Sequence, residues 1–363
     1  MNSNILNALL GRYVESSLAH QLISDGYTLG KLKMLTKDKL TELGLSDETI
    51  QIISDESRPP IPQETIIKLL HESKFACCVC RNPSKGIIIH HIQEWNESKN
   101  HDESNLIVLC LEHHDLAHTK KDLTLQLSPS RLLALKKQWI ESAKFQDART
   151  ILGLINEYSR WDYVNQSRVF ELFLNLGIDP TGFQTYDTLK SQSIINNRGL
   201  INPIKLWDVD HLPRKHVTDI GRLQIHFMYY LKETVESIIK KLPIIDITNN
   251  LSRNEIKALV KPGMFISAQL GFYFKEKEPY QDFKSQRKTA YYRGNKIKIQ
   301  FTFDAFECTS NSGRFDHMTA KKIITPILFV TSVVEDNGWI NISTSCLAAG
   351  SYFDEHRIYK NQF

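Results

Sequence analysis

Two short half-sites in this chain could close a metal centre. Cys77 and Cys80 are separated by two residues in CCVC, and Cys110 and His113 repeat that interval in CLEH. Thiolates and a neutral imidazole at this spacing supply the tetrahedral ligand set of a structural Zn²⁺. Cys78 competes with Cys77 for the first position, but only one residue separates Cys78 from Cys80, which disfavours the tight knuckle turn and favours Cys77. Of the six cysteines only Cys308 and Cys346 lie elsewhere, and in a reducing compartment such clustering points to metal and not to disulfides. Histidine is concentrated in the same interval: His90, His91, His101, His113, His114 and His118 are six of thirteen.

One structural metal does not use all of these imidazoles. After Cys110 the stretch LEHHDLAH can start a helix, which sets His114 and His118 at i and i+4 on one face. His90 and His91 end the apolar run Ile87 to Ile89, which reads as a strand, so their side chains leave on opposite faces and can serve different roles. If His90 points at the His114/His118 pair, three neutral nitrogens hold a cation and leave positions open for a phosphate oxygen and water, the arrangement of a catalytic site. Phosphodiester hydrolysis also needs a base, which a histidine titrating near neutrality suits. Trp95 reads as packing and His101 as solvent-exposed.

The elements that must position these groups follow from the hydrophobic pattern. Residues 5 to 53 are helical in period, with Thr36 and Ser46 as N-caps and Gly44 as a helix stop. This leucine pattern resembles a small sterile-alpha-motif or helix-hairpin-helix unit, and a packing or adaptor role outweighs DNA binding for it. SRPPIPQ is a linker, and QETIIKLLHESK a helix that delivers the chain to Cys77. SPSRLLALKKQWIESAKFQ predicts another helix, capped by Ser128 or Ser130. Beyond Thr150 the character changes: 151 to 176 and 216 to 242 read as helices, and the last hundred residues as strands. KIKIQFTFDAF alternates, with Ile297, Ile299, Phe301, Phe303 and Ala305 on one face; MFISAQLGFYF and IITPILFVTSVV are further strands, the latter interrupted by Pro326.

The interval from Phe75 to Thr119 resembles the HNH nucleases with their ββα-metal fold. HHI at His90 to Ile92 matches the family's first motif, NLIVLC from Asn105 the middle one, and HHDLAH the last. The resemblance implies that His91 is the general base and that His90, His114 and His118 bind one catalytic divalent cation, Mg²⁺, Mn²⁺ or similar. It also implies that Asn105 ties the long loop so that His91 is held in place, and that products carry 5′-phosphate and 3′-hydroxyl ends. The three-histidine set with an HxxxH helix resembles the colicin nuclease branch. Many zinc-bearing members have four cysteines where this chain has His113 in the last position, which leaves His113 and His114 to be apportioned between the two metals; register favours His113 for zinc. The expected class is α+β, with a small helical unit over residues 1–58, an HNH nuclease domain over 62–148 and a C-terminal α+β domain with antiparallel strands over 150–363.

Charge constrains the partners. The net charge is only +4, and from Lys74 to Lys144 ten basic residues face eight acidic ones, so DNA affinity must come from local clusters. Lys120 and Lys121 follow the metal helix, and KSQRKTAYYRGNKIK, which includes Arg287, Lys288 and Arg293, holds six basic residues and no acid. A charged hairpin face in solvent explains that stretch equally well. The leading expectation is a bacterial defence or restriction endonuclease acting on DNA, double-stranded by preference, with the C-terminal domain recognising the target or controlling activity. Its competitors are a non-catalytic zinc-knuckle module that binds nucleic acid, and an effector gated by a nucleotide ligand or protein partner; homo-oligomerisation is compatible with each. MNSNILNALLGRYVESS lacks a positive leader region and no apolar run reaches membrane-spanning length, so the expected location is cytoplasmic, with no membrane partner.

Overall fold

Helices predominate up to residue 260, with a few short strands among them, and give way to the strands of a mostly antiparallel sheet, so the fold is α+β. The computed structural model describes residues 3–55, 60–98, 100–119, 126–202, 220–276, 287–309, 318 and 320–356. Two compact units result: Met1–Lys144 with Lys257–Leu259, and Phe145–Ile256 with Val260–Phe363. The N-terminal helices share a unit with the Cys/His segment. Leu10, Tyr13, Ile52 and Ile61 join Ile89, Leu106 and Val108 in one apolar core, and that common burial joins them.

In the first unit, α1 (Ser3–Leu10), α2 (Ser16–Ser24), α3 (Leu29–Lys33), α4 (Lys37–Glu42), α5 (Asp47–Asp55) and α6 (Gln63–Glu72) precede the Cys/His segment. Their ends are chemically specified. The Glu15 carboxylate accepts from the Ser17 and Leu18 amides at the start of α2, Thr36 accepts from the Lys39 amide at the start of α4, and Gly44 ends α4 at φ +86°. β1 (Ile87–His91) then pairs antiparallel with β2 (Leu106–Cys110), Ile87 opposite Cys110 and His91 opposite Leu106. Between them runs a loop with α7 (Trp95–Ser98). α8 (Leu111–His118) begins directly after Cys110, and α9 (Pro129–Ala143), capped by Ser128, ties back through the Trp139 indole N–H to the Ser73 carbonyl at 2.8 Å. α2 also reaches the small sheet, because the Ser16 hydroxyl accepts from the Ile87 amide at 2.8 Å.

The second unit holds α10 (Gln146–Gly153), β3 (Arg160–Val164), α11 (Gln166–Asn175), α12 (Tyr186–Ser191), α13 (Gln224–Ile239), and the strands β4 (Ile244–Asp246), β5 (Phe265–Ser267), β6 (Leu270–Glu276), β7 (Arg287–Gly294), β8 (Ile297–Asp304), β9 (Lys321–Asp336) and β10 (Trp339–Ser351). The sheet runs β3-β10-β8-β7-β6-β9-β5-β4, and β9 also pairs with β10, so β10, β8, β7, β6 and β9 close on one another. Inward residues of β8 (Ile297, Ile299, Phe301 and Phe303) are buried, as their alternation predicts. Two expectations are corrected. Residues 151 to 176 are not helical throughout: RWDYV is a strand, since its β-branched and aromatic side chains pair with the end of β10, Val164 opposite Ala348. Pro326 does not interrupt β9. It falls where the partner changes from β6, last paired at Ile324, to β5, first paired at Ile327, so its missing N–H removes no ladder bond on that side.

Candidate metal centre

The four half-site residues come together as the spacing predicts. β2 and the first turn of α8 present Cys110 and His113, and the turn after α6 presents Cys77 and Cys80. Their donor atoms lie within 4.8 Å of one another, and three of the four residues are wholly or partly buried. The Cys80 and Cys110 sulfurs are 3.9 Å apart, and His113 Nδ1 lies 3.1 Å from the Cys110 sulfur and 3.6 Å from the Cys77 sulfur. A tetrahedral Zn²⁺ with Zn–S bonds of about 2.3 Å needs sulfur–sulfur edges of roughly 3.8 Å, so the cluster fits this ion as it stands. Burial pushes the Cys77 thiol up to about 12, so in the metal-free chain it stays protonated. A bound dication would therefore displace a proton on binding. Cys78 is buried outside the cluster, against β2, where its amide donates to the Val108 carbonyl at 2.9 Å.

A second group forms on the other side of the strand end. His90, His114 and His118 bring one ring nitrogen each within 4.8 Å of the others, a set that could hold a metal ion. His114 Nε2 and His118 Nε2 are 3.3 Å apart, which suits two ligands of one cation at about 2.1 Å each. The helix repeat accounts for this pair, and the antiparallel register brings His90 over them, edge-on to both rings at 5.1 and 4.9 Å. Burial lowers the His114 pKa, and His118 adds to the effect against the opposing pull of Asp115 and Glu48. Burial likewise lowers His113. Both shifts favour the neutral ring, which is the ligating form.

His91 leaves β1 on the opposite face from His90 and is buried. Its two nitrogens meet different elements: Nδ1 lies 3.3 Å from the Tyr13 hydroxyl, and Nε2 lies 3.1 Å from His101 Nδ1. A cleft of about 910 Å³ opens here, lined by His90, His91, His114 and His118 from the metal segment and by Tyr13 and Glu48 from the helices. Asn105 ties the loop between the strands. Its amide nitrogen donates to the Gln93 and Asn100 carbonyls, each at 3.1 Å, and to the Ser98 hydroxyl at 3.1 Å, while its oxygen accepts from the Gln93 amide at 2.8 Å.

No family model, curated protein or solved structure matches the chain.

Three residues near His91 escape a reading of the sequence. Tyr13 is 78 residues away in the chain, and no local pattern marks it. His101, expected in solvent, is half-buried against His91, and the Trp95 ring, expected as packing, stacks on it at 4.2 Å and 18°. Both belong to a loop whose path Asn105 dictates. The candidate nucleic-acid contacts fare unevenly. Lys120 and Lys121 lie outside the described residues. In the second unit Arg287 is exposed, and the Arg293 guanidinium is also exposed and stacks on Trp339 at 4.4 Å. Lys288 is buried, with its ammonium near the Met318 carbonyl at 3.4 Å, because strand alternation turns it to the inner face of β7 and away from any phosphate backbone.

Proposed function

We propose that the first unit is a metal-dependent DNA endonuclease of the HNH type, with Cys77, Cys80, Cys110 and His113 on a structural zinc and His90, His114 and His118 on a catalytic cation. The observation that carries this reading is the convergence of those three imidazoles at the mouth of a cleft, with the buried imidazole of the next residue, His91, lining the same cleft. A zinc knuckle that only presented a binding surface requires neither. When bound, a divalent cation supplies positive charge beside the scissile phosphate and the leaving oxygen. His91 takes a proton from water as the new oxygen–phosphorus bond forms. The bond from phosphorus to the 3′-oxygen breaks, and that oxygen leaves with a proton from solvent, which gives 5′-phosphate and 3′-hydroxyl ends. Asn105 keeps the loop folded beside the base by bonding the backbone at Gln93 and Asn100 and the Ser98 hydroxyl.

The second unit selects the target or controls activity, as befits a nuclease of bacterial defence or restriction. Exposed Arg287 and Arg293 give it a phosphate-binding edge, and a cleft of about 770 Å³ beside β9 gives it room for a regulatory ligand. The test is incubation of the purified chain with supercoiled plasmid, with Mg²⁺ or Mn²⁺ and with chelator. Nicking and linearisation that need the cation are expected, and cleavage that survives complete chelation would refute the reading.

A further inference from the structure

A general base needs one ring nitrogen free of protons and a fixed partner on the other, or its tautomer and orientation wander. The two nitrogens of His91 meet different partners. Tyr13, at Nδ1, lines the cleft with His91, whereas His101, at Nε2, does not line it. Nδ1 thus lies on the side where a cleft-lining residue, Tyr13, meets the ring, and Nε2 on the side of the loop that carries His101. We infer that His101 is the positioning residue for His91: its Nδ1 accepts a hydrogen bond from the His91 Nε2–H and so holds the tautomer in which Nδ1 carries the lone pair. This inference rests on the reading of His91 as the base.

The surroundings of His101 fit that task. Its ring lies flat on Trp95 at 4.2 Å, which fixes the plane of the imidazole. The residue before it, Asn100, is pinned through its carbonyl to the Asn105 amide at 3.1 Å, and Asn105 also binds Gln93 at the start of the loop. Its own Nδ1 sits 3.1 Å from His91 Nε2, a normal hydrogen-bond length. The Tyr13 hydroxyl, at 3.3 Å from Nδ1, is the longer of the two contacts and comes from a residue that lines the cleft. The loop that Asn105 ties therefore delivers an acceptor to the back of His91.

The inference is tested on the full chain with His101→Phe, His101→Asn and His91→Ala. Phenylalanine keeps the stack on Trp95 and removes the acceptor, whereas the asparagine oxygen occupies the place of imidazole Nδ1. His101→Phe should lower kcat by at least about tenfold at unchanged KM and metal content, and His101→Asn should return it to within about threefold of wild type. In ¹⁵N-histidine spectra recorded without DNA, His91 should carry its proton on Nε2 in the wild type and in His101→Asn, and exchange between tautomers in His101→Phe. Wild-type kcat in His101→Phe, asparagine no better than phenylalanine, or a His91 proton on Nδ1 in the wild type would each overturn the inference. If His91→Ala is inactive while His101→Phe is unaffected, the base assignment stands and only the role of His101 falls; full activity in His91→Ala removes both.

Discussion

Single side chains decide what chemistry the first unit can do. The Cys/His cluster was legible as residue types, since Cys77, Cys80, Cys110 and His113 sit at knuckle-like intervals, and the structure brings their donor atoms within 4.8 Å, where they could hold a metal such as zinc. His101 was not legible, because a histidine in a polar loop carries no period, and its partner is fixed by the path of that loop. Replacing Cys80 or Cys110 with Ser should lower zinc content and melting temperature together, since metal binding to a site absent from the unfolded chain contributes directly to folding. Zinc content by elemental analysis, read beside a thermal melt, checks this. Unchanged melting in a zinc-free protein would remove the knuckle from the account.

The elements place those side chains by two different periods. Alternation along β1 parts His90 from His91, and the α8 repeat joins His114 to His118; both follow from sequence spacing. The strand RWDYV and the uninterrupted course of β9 through Pro326 did not follow, because each depends on which strand lies alongside. The loop between β1 and β2 depends on one side chain. Asn105→Ala removes its hydrogen bonds to Gln93, Ser98 and Asn100 and should cost about 0.5–1.5 kcal/mol for each bond lost. Amide exchange should rise most in residues 93 to 104, and cleavage should fall with it. Protection of that loop at wild-type level would show that Asn105 does not hold it.

At the scale of the whole molecule, the N-terminal helices share one apolar core with the Cys/His segment, a union that leaves no mark on local sequence pattern. The second unit closes with a buried pair, His356 Nε2 against the Asp246 carboxylate, with Thr248 also donating to Asp246 at 2.6 Å. Burial alone would raise Asp246, but His356 and Thr248 outweigh it and hold the carboxyl below its ordinary value. The stability this contributes is complete above the unfolded-state carboxyl pKa of about 3.9 and is lost as pH falls through the lower folded-state value. Asp246→Ala should cost about 3 kcal/mol at neutral pH, and its urea midpoint should fall less than the wild type's between neutrality and strong acid. Equal acid sensitivity would contradict the assignment. On the surface of this unit, Arg287→Gln with Arg293→Gln should flatten the salt dependence of DNA binding by up to about 1.8 in log–log slope, whereas Lys288→Gln should change stability and leave the slope alone. An identical slope in the double variant would take DNA off this face. The central claim remains the pairing of His91 with the three-histidine site, and single-turnover cleavage by His91→Ala, with Mn²⁺ occupancy measured on the same sample, tests it most directly. The account predicts a rate at least about a hundredfold below wild type with Mn²⁺ binding unchanged; cleavage at the wild-type rate, or loss of Mn²⁺ together with activity, would contradict it.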